Sequence, residues 1–181
     1  MLNHKGTQTL ITPRLVLRPF VAGDAQDMYI NWASDPEVTK FLTWPTHKRV
    51  DVSQWVCNDW VSHYGEPDYY NWAIAYNGHA IGSIAVVEHD DQISKAQIGY
   101  CIGRNWWHMG IMSEALQAVM NFLFDEVGFN LLEARHDPRN PNSGHVMRKC
   151  GMKYEGTLRQ SDWNNQGICD ACWYALLKSE R

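Results

Sequence analysis

The segment from Lys95 to Val127, KAQIGYCIGRNWWHMGIMSEALQAVMNFLFDEV, decides the fold. Its first part, from Lys95 to about Ile102, predicts a β-strand, and a second strand is predicted from Leu131 to His136. Between them a helix is predicted from about Ser113 to Val127, because apolar side chains recur at spacings of three and four. These apolar residues are Leu116, Val119, Met120, Leu123 and Val127. Strand, helix and strand in this order indicate one βαβ crossover.

The loop before this helix predicts an anion site. The first turn of a helix leaves N–H groups unpaired, and the helix dipole adds about half a positive charge there. Gly110 removes a side chain where a backbone must approach phosphate closely, and Ser113 offers a hydroxyl to the phosphate or as a helix cap. The stretch Trp107-His108-Met109-Gly110-Ile111-Met112-Ser113 is therefore a candidate cradle for a pyrophosphate.

Upstream of this segment the pattern predicts two helices and three strands. The strands are Leu15 to Phe20, Trp72 to Tyr76 and Ala80 to Val87, the last two joined by a tight turn at Asn77-Gly78. Asp24 is a predicted N-cap of a short helix that ends near Ser34. A second helix around Asp51 is predicted from the helical spacing of Val52, Trp55, Val56 and Trp60.

Downstream, a loop rich in proline and asparagine precedes a short helix that ends near Cys150-Gly151. Two final strands between Met152 and Leu177 are predicted, joined by a polar loop from Asp162 to Gly167. No repeat or linker interrupts the chain, so we predict one continuous domain over residues 1–181, of mixed α+β class.

Composition restricts the class of protein. The chain has 181 residues, a formal net charge of -4 and a pI near 6.0, which argues against a nucleic-acid binder. We also expect no signal peptide and no membrane span. Five cysteines at irregular spacing favour reduced thiols in the cytoplasm. Because Cys169 and Cys172 lack a second pair of ligands, we expect strand or core cysteines and no metal site.

An ordered set of motifs resembles the GNAT N-acetyltransferases, and within them the RimJ/RimL type that acts on ribosomal proteins. The set comprises Thr12 to Pro19, Gln97 to Tyr100, the segment 107–115, Asn140 to Ser143, Lys149 to Met152, and Tyr154 to Gly156. The resemblance covers nearly the whole chain. It implies the GNAT fold, a mixed, mostly antiparallel sheet that splays open at its centre, with helices on both faces.

The resemblance also implies where acetyl-CoA binds. The pantetheine amides would pair with the strand backbone at Ile98, Tyr100 and Ile102, and Asn140 would contact the pantetheine arm. Ser143 would lie near the thioester sulfur, where it is our candidate catalytic residue as donor to the leaving group. The pyrophosphate would bind the N–H groups of His108, Met109, Gly110, Ile111, Met112 and Ser113.

Three positions depart from the family pattern. Trp107 and Met112 occupy the first and last places of a cradle that usually begins with Gln or Arg and ends in a small residue. Gln97 replaces a glutamate that serves many relatives as a base, and Met147 replaces a tyrosine acid. Four other candidate bases, Glu37, His47, Glu88 and His136, are each expected to be surface residues.

The chemistry implied is direct attack of a neutral amine on the thioester carbonyl. A backbone N–H of Tyr100 or Ile102 is the candidate oxyanion donor. No acyl-enzyme is needed, so Cys150 is expected to be a core residue at a helix end. The resemblance implies that the acceptor enters between the first helices and the last hairpin, which predicts Asn31, Trp32, Trp44 and Trp163 as substrate-binding residues, with core packing as the alternative for the tryptophans.

Several functions remain open at this stage. The acceptor favoured by the resemblance is a protein N-terminal α-amine, with a small-molecule amine such as a polyamine, amino acid or antibiotic as the alternative. A non-catalytic acyl-CoA-binding domain is a second class, motivated by the missing glutamate and tyrosine. A scaffold without cofactor is a third class. A homodimer is also expected from the family branch.

Overall fold

A computed structural model describes residues 2–181. The strands in this range form one eight-stranded sheet. The strands are β1 (Leu10–Ile11), β2 (Leu15–Arg18), β3 (Asn71–Tyr76), β4 (His79–Asp90), β5 (Lys95–Ile102), β6 (Leu131–His136), β7 (Lys153–Asn164) and β8 (Gly167–Leu177). Their order in the sheet is β1-β2-β3-β4-β5-β6-β8-β7. All neighbours are antiparallel except β5 and β6, which form the predicted parallel pair.

The helices lie on both faces of this sheet. They are α1 (Ala25–Met28), α2 (Pro36–Thr39), α3 (Val50–His63), α4 (Ile111–Phe122) and α5 (Pro141–Lys149). A π-helical turn (Leu123–Val127) continues α4, and the predicted stripe from Leu116 to Val127 is buried in the larger core against β2 to β6. A smaller core packs α1 and α3 against the other face, around Phe20, Trp32 and Cys57.

The sheet opens between β5 and β6. These strands pair only at Lys95 to Gln97 with Leu131 to Glu133, so the rest of β5 has no strand on that side. Gly103 N–H donates to the Ile81 carbonyl on the β4 side (2.9 Å). Because backbone groups alternate along a strand, those of Ile102 and Tyr100 point into the gap.

Glycines set both ends of α4. Gly110 precedes the helix with φ +73°, and Gly128 follows its last π-helical turn with φ +95°. Both values lie in the left-handed region that glycine adopts without a steric penalty. The helix therefore begins at Ile111, two residues before the predicted start.

Several predicted elements are confirmed with altered ends. Asn77 and Gly78 both have positive φ, as the predicted tight turn requires. The first predicted strand ends at Arg18, and the last hairpin has a much shorter loop than predicted, because β7 continues to Asn164.

Two predictions about the first half of the chain are wrong, and a third is confirmed with an unexpected buried face. Asp24 does not cap α1, since its carboxylate accepts two hydrogen bonds from Arg18 (2.8 Å each). The predicted second helix is confirmed as α3, although Trp55 is 69% exposed and Val52 40%, and the buried face carries Ser53 and Cys57. His47 is buried, not at the surface, and its Nδ1 lies 2.7 Å from the Ser53 hydroxyl.

Candidate active site

A cavity of about 310 Å³ lies where the sheet opens, between the free part of β5 and helices α4 and α5. Nine predicted cofactor residues line it: Tyr100, Ile102, His108, Gly110, Ile111, Met112, Ser113, Asn140 and Ser143. Two others do not. The Ile98 side chain is buried in the core, and the Met109 side chain is exposed to solvent.

The anion end of the cavity is the start of α4. The first intrahelical bond runs from Glu114 N–H to the Gly110 carbonyl (3.1 Å), so the N–H groups of residues 111–113 precede it. His108 also has a positive φ, +61°, as does Gly110. Left-handed residues within a turn direct N–H groups to one concave side, an arrangement that binds anions.

Two cations border this anion end. A Cβ placed on Gly110 would lie 3.6 Å from both Arg14 Nη2 and Lys149 Nζ. Arg14 is held by Glu114, whose Oε2 lies 2.6 Å from Arg14 Nε, and by the Met109 carbonyl. Burial would raise the pKa of Glu114, but hydrogen bonds from Thr12 and Arg14 hold it below its usual value. Lys149 has no carboxylate partner among residues 2–181, so its charge is free to meet a phosphate.

The opposite end of the cavity carries two hydroxyl groups. Tyr100 donates its hydroxyl hydrogen to the Ser143 backbone carbonyl (2.9 Å), and the Ser143 hydroxyl donates to the Tyr100 oxygen (3.2 Å). Burial raises the pKa of Tyr100 far above its ordinary value, so this hydroxyl stays protonated at neutral pH. Each hydroxyl has one hydrogen, so either group can donate to an atom that gains negative charge during a reaction by turning that hydrogen away from its present acceptor.

Asn140 stands at the start of α5 with its side chain uncommitted to capping. From there α5 presents Asn142, His145, Val146 and Lys149 to the cavity, one face at helical spacing. Met147 faces the other way and is 1% exposed, so this position offers no polar group to the cavity.

None of the four candidate bases lines the cavity. Glu37 and Glu88 are exposed, as expected. Burial lowers the pKa of His136, which is half-buried, and its Nε2 has no hydrogen-bond partner in the described chain. That nitrogen faces the backbone of α5, since a Cβ on Gly144 would lie 2.5 Å from it.

Cys150 is a core residue at the end of α5, as expected. It is 6% exposed, and its thiol donates to the Ser113 carbonyl (3.3 Å). Burial raises the pKa of Cys150 to about 11, which keeps the thiol protonated and a poor nucleophile.

The predicted substrate residues lie outside the cavity wall. Trp32 is 1% exposed within the smaller core, and the Asn31 amide donates to the Ala80 carbonyl (2.7 Å). Trp44 is half-buried beside His47, and Trp163 is 57% exposed near the tip of β7. The structure thus uses Asn31 and Trp32 in packing, and only the other two lie near a surface.

The last hairpin nevertheless meets the segment after α2, as the predicted acceptor entrance requires. Asn165 N–H donates to the Leu42 carbonyl (3.1 Å), and the Asn165 amide donates to the carbonyls of Thr39 and Trp44 (2.8 Å each). Val38 of α2 and the following residues Phe41 and Leu42 line the cavity, so the cavity lies beside this contact.

Comparison with known proteins identifies the family. The acetyltransferase (GNAT) domain matches residues 14–153. The chain belongs to the GNAT acetyltransferase family. A GNAT relative, the uncharacterized N-acetyltransferase p20 of Bacillus licheniformis, is 32% identical over 178 residues, which cover 96% of this chain and 98% of p20. As a GNAT enzyme the protein transfers an acyl group from acetyl-CoA to an amine.

Ribosomal-protein acetyltransferases are among the similar proteins, in agreement with the RimJ/RimL resemblance. The [ribosomal protein uS5]-alanine N-acetyltransferase of Escherichia coli is 32% identical over 59 residues, covering 33% of this chain and 30% of that protein. The structure of RimL, a ribosomal L7/L12 α-N-protein acetyltransferase in complex with coenzyme A, superimposes with a TM-score of 0.84 at 18% identity, covering 94% and 98% of the two chains. At that identity the superposition shows the shared fold alone.

Proposed function

We propose that acetyl-CoA binds in the cavity between β5 and α5 and that its acetyl group passes to the α-amine of a protein N-terminus. The observation that carries the cofactor position is the gap between β5 and β6. It leaves the β5 backbone without a strand neighbour at Tyr100 and Ile102, and the cavity there extends to the first turn of α4. The pantetheine amides can complete this strand edge, while residues 108–113 hold the pyrophosphate.

Ser143 and Tyr100 are the proposed groups at the reacting end. The amine nitrogen attacks the thioester carbon, the carbonyl oxygen becomes an oxyanion, and the bond from carbon to sulfur then breaks. The free N–H of Tyr100 or Ile102 is the proposed donor to the oxyanion. The hydroxyl of Tyr100, supported by Ser143, is the proposed donor to the departing sulfur.

A protein α-amine fits the absence of a carboxylate base from the cavity wall of the described chain. An α-amine has a pKa of about 8, against about 10.4 for lysine, so a larger share is neutral at pH 7. Positioning and a water relay can then complete proton removal. The net charge of -4 suits cationic acceptors, ribosomal proteins and polyamines alike, and selects neither.

The acceptor entrance is the contact between the last hairpin and the segment 38–44. Trp44 and Trp163 are the proposed contacts to the acceptor there, whereas Asn31 and Trp32 support the wall from behind. We place the enzyme in the cytoplasm and expect a homodimer. Among residues 2–181, no helix is both long and apolar enough to cross a membrane.

The acceptor class can be tested by thiol release from acetyl-CoA with three matched amines. The first is a peptide with a free N-terminus and no lysine, and the second is the same peptide blocked at its N-terminus with one lysine added. The third is a polyamine. Faster release with the first supports the proposal, whereas preference for the polyamine or lysine assigns the enzyme a side-chain or small-molecule amine.

A further inference from the structure

The segment before β1 crosses the end of the sheet remote from the acetyl-CoA cavity. Asn3 N–H donates to the Val127 carbonyl (2.8 Å), and Gly6 N–H donates to the Pro67 carbonyl (2.6 Å). These bonds fix His4 between them. The cavity lies at the Ile102 end of β5, whereas His4 lies at the Lys95 end, about 20 Å away along the strand.

His4 meets two residues of the β4–β5 turn region. Its Nε2 lies 3.1 Å from Asp91 Oδ2, and His89 Nδ1 lies 2.9 Å from Asp91 Oδ1. One ligand atom from each of the three residues lies within 4.8 Å of the other two. Three ligands about 2.0–2.2 Å from one tetrahedral ion would lie roughly 3.4 Å apart, so small side-chain rotations bring them to a common centre.

The remaining ring nitrogen of His4 has a hydrogen-bond partner that would orient this histidine as a ligand. His4 Nδ1 lies 2.9 Å from the Tyr70 hydroxyl, whereas His89 Nε2 lies 3.8 Å from Asp68 Oδ2, which is too far for a hydrogen bond. A histidine that binds a metal through one nitrogen commonly donates the other N–H to a carboxylate or another acceptor. Tyr70 itself is 1% exposed and stacks on Trp72, which fixes its hydroxyl.

We propose that His4, His89 and Asp91 bind one zinc ion that joins the N-terminal segment to the β4–β5 turn. Two imidazoles and one carboxylate suit Zn²⁺ better than Mg²⁺ or Ca²⁺, which prefer oxygen ligands. Water completes the four-coordinate shell. Because the site is remote from the cavity, the ion stabilises the fold and takes no part in acetyl transfer.

The sequence pattern predicts no metal because it offers only the cysteine pair at Cys169 and Cys172. His4 and His89 are far apart along the chain, and only the sheet brings them together. The competing account is an ion-pair cluster without metal, in which hydrogen bonds from His4 and then His89 lower the pKa of Asp91.

The test uses the full chain, stripped of metal with a chelator and then titrated with Zn²⁺ against a chromophoric competitor. We expect one ion per chain and a rise in Tm of roughly 5 to 10 °C at free zinc about 100-fold above Kd. Co²⁺ substituted at the site should give visible absorption without the thiolate charge-transfer band that cysteine ligands produce.

Variants then assign the ligands. His4→Ala and His89→Ala should each abolish the zinc-dependent rise in Tm, and Tyr70→Phe should weaken binding about 10- to 100-fold. His63→Ala is the matched control, since His63 also lies near two carboxylates, of Glu66 (2.8 Å) and Asp59 (3.8 Å), but has no second histidine beside it in the described chain. It should bind zinc as the wild type does.

Several results would overturn the proposal. They are wild-type protein whose Tm does not respond to zinc, ligand variants that keep full affinity, or a thiolate band in the cobalt spectrum. If a ligand variant fails to fold, His4→Gln and the wild-type cobalt spectrum decide the question. Acetyl-transfer rates at a temperature well below Tm should be equal with and without zinc, which separates this site from the proposed function.

Discussion

Tyr100 supplies the cavity with a hydroxyl group that strand patterning alone does not assign to it. The sequence predicts a backbone role for Tyr100 and a hydroxyl role for Ser143, and the structure joins the two side chains. Met147, where many relatives carry a tyrosine acid, faces the core. The cavity therefore has a tyrosine hydroxyl from β5, at Tyr100, and none from α5 at position 147.

Tyr100→Phe should lower kcat about 100-fold with little change in the KM for acetyl-CoA, because the lost hydroxyl acts on the leaving sulfur. Ser143→Ala should do the same to a similar extent. The double variant should lose no more than either single variant if the two hydroxyls act as a unit. Steady-state kinetics decide this. If the losses in kcat multiply in the double variant, the two hydroxyls act independently. If Ser143→Ala raises the KM for acetyl-CoA in proportion to its loss of kcat, Ser143 is a cofactor-binding residue.

Lys149→Met should weaken CoA binding about 10-fold and make the remaining affinity less sensitive to salt, since a charge contact to phosphate is lost. Lys153→Met is the control, because Lys153 already pairs with Glu180 (2.5 Å) away from the cavity. Calorimetric titration at two salt concentrations measures both effects. Equal affinities for the two variants would remove Lys149 from the phosphate site.

At the scale of elements, the two glycines that bound α4 offer a matched pair. Each has a positive φ, so alanine at either position strains the backbone by about 1–2 kcal/mol. Gly110 adjoins the cavity, whereas a Cβ at Gly128 would meet nothing within 4 Å.

Gly110→Ala and Gly128→Ala should therefore lower Tm by similar amounts, but only the first should weaken CoA binding, by at least about 10-fold. Its methyl group would enter the space between Arg14 and Lys149 where a phosphate is proposed. Thermal unfolding and CoA titration on both variants check this. Unchanged CoA affinity in Gly110→Ala would move the pyrophosphate away from α4.

Asp137 links the end of β6 to the tip of the last hairpin. Its side chain is 2% exposed, and it accepts hydrogen bonds from Arg139 Nη2 (2.6 Å) and Asn164 Nδ2 (2.8 Å). Burial alone would raise the pKa of Asp137, but these donors hold it well below its usual range.

Because the folded pKa lies below the unfolded value of about 3.9, Asp137 stabilises the fold fully above that pH and loses this effect as pH falls. Asp137→Asn should lower the free energy of unfolding at pH 7 by about 1–3 kcal/mol and flatten its decline below pH 4. Urea unfolding across pH measures both. An unchanged slope between pH 4 and pH 2 would show that other carboxylates set the acid sensitivity.

The helices and strands predicted from the sequence match the structure where a single local signal, such as hydrophobic periodicity or a positive φ, determines them. The α4 stripe, the Asn77-Gly78 turn and the strands β5 and β6 were predictable because periodicity or positive φ fixes them locally. The first half of the chain was harder. Asp24 has the residue type of an N-cap, yet Arg18 captures its carboxylate, and a partner six residues away gives no local signal.

At the scale of the whole molecule, the ordered motifs predicted the GNAT fold and the cavity wall contributed by β5, α4 and α5. They could not predict that Val38, Phe41 and Leu42 line the cavity, because this depends on contacts between distant segments such as Asn165 with Leu42. The sequence left a binding role and a core role open for Trp32 for the same reason, and the structure buries it. The sequence around a single tryptophan does not show whether its side chain lines a pocket or fills a core.

We propose that the opening between β5 and β6 holds acetyl-CoA with its sulfur at the Tyr100–Ser143 end. A crystal structure of the protein grown with CoA is the decisive test. We expect pantetheine along the free edge of β5, pyrophosphate on the N–H groups of residues 108–113, and the sulfur within about 4 Å of the Tyr100 or Ser143 hydroxyl. Pyrophosphate bound elsewhere, or a sulfur pointing away from both hydroxyls, would contradict it.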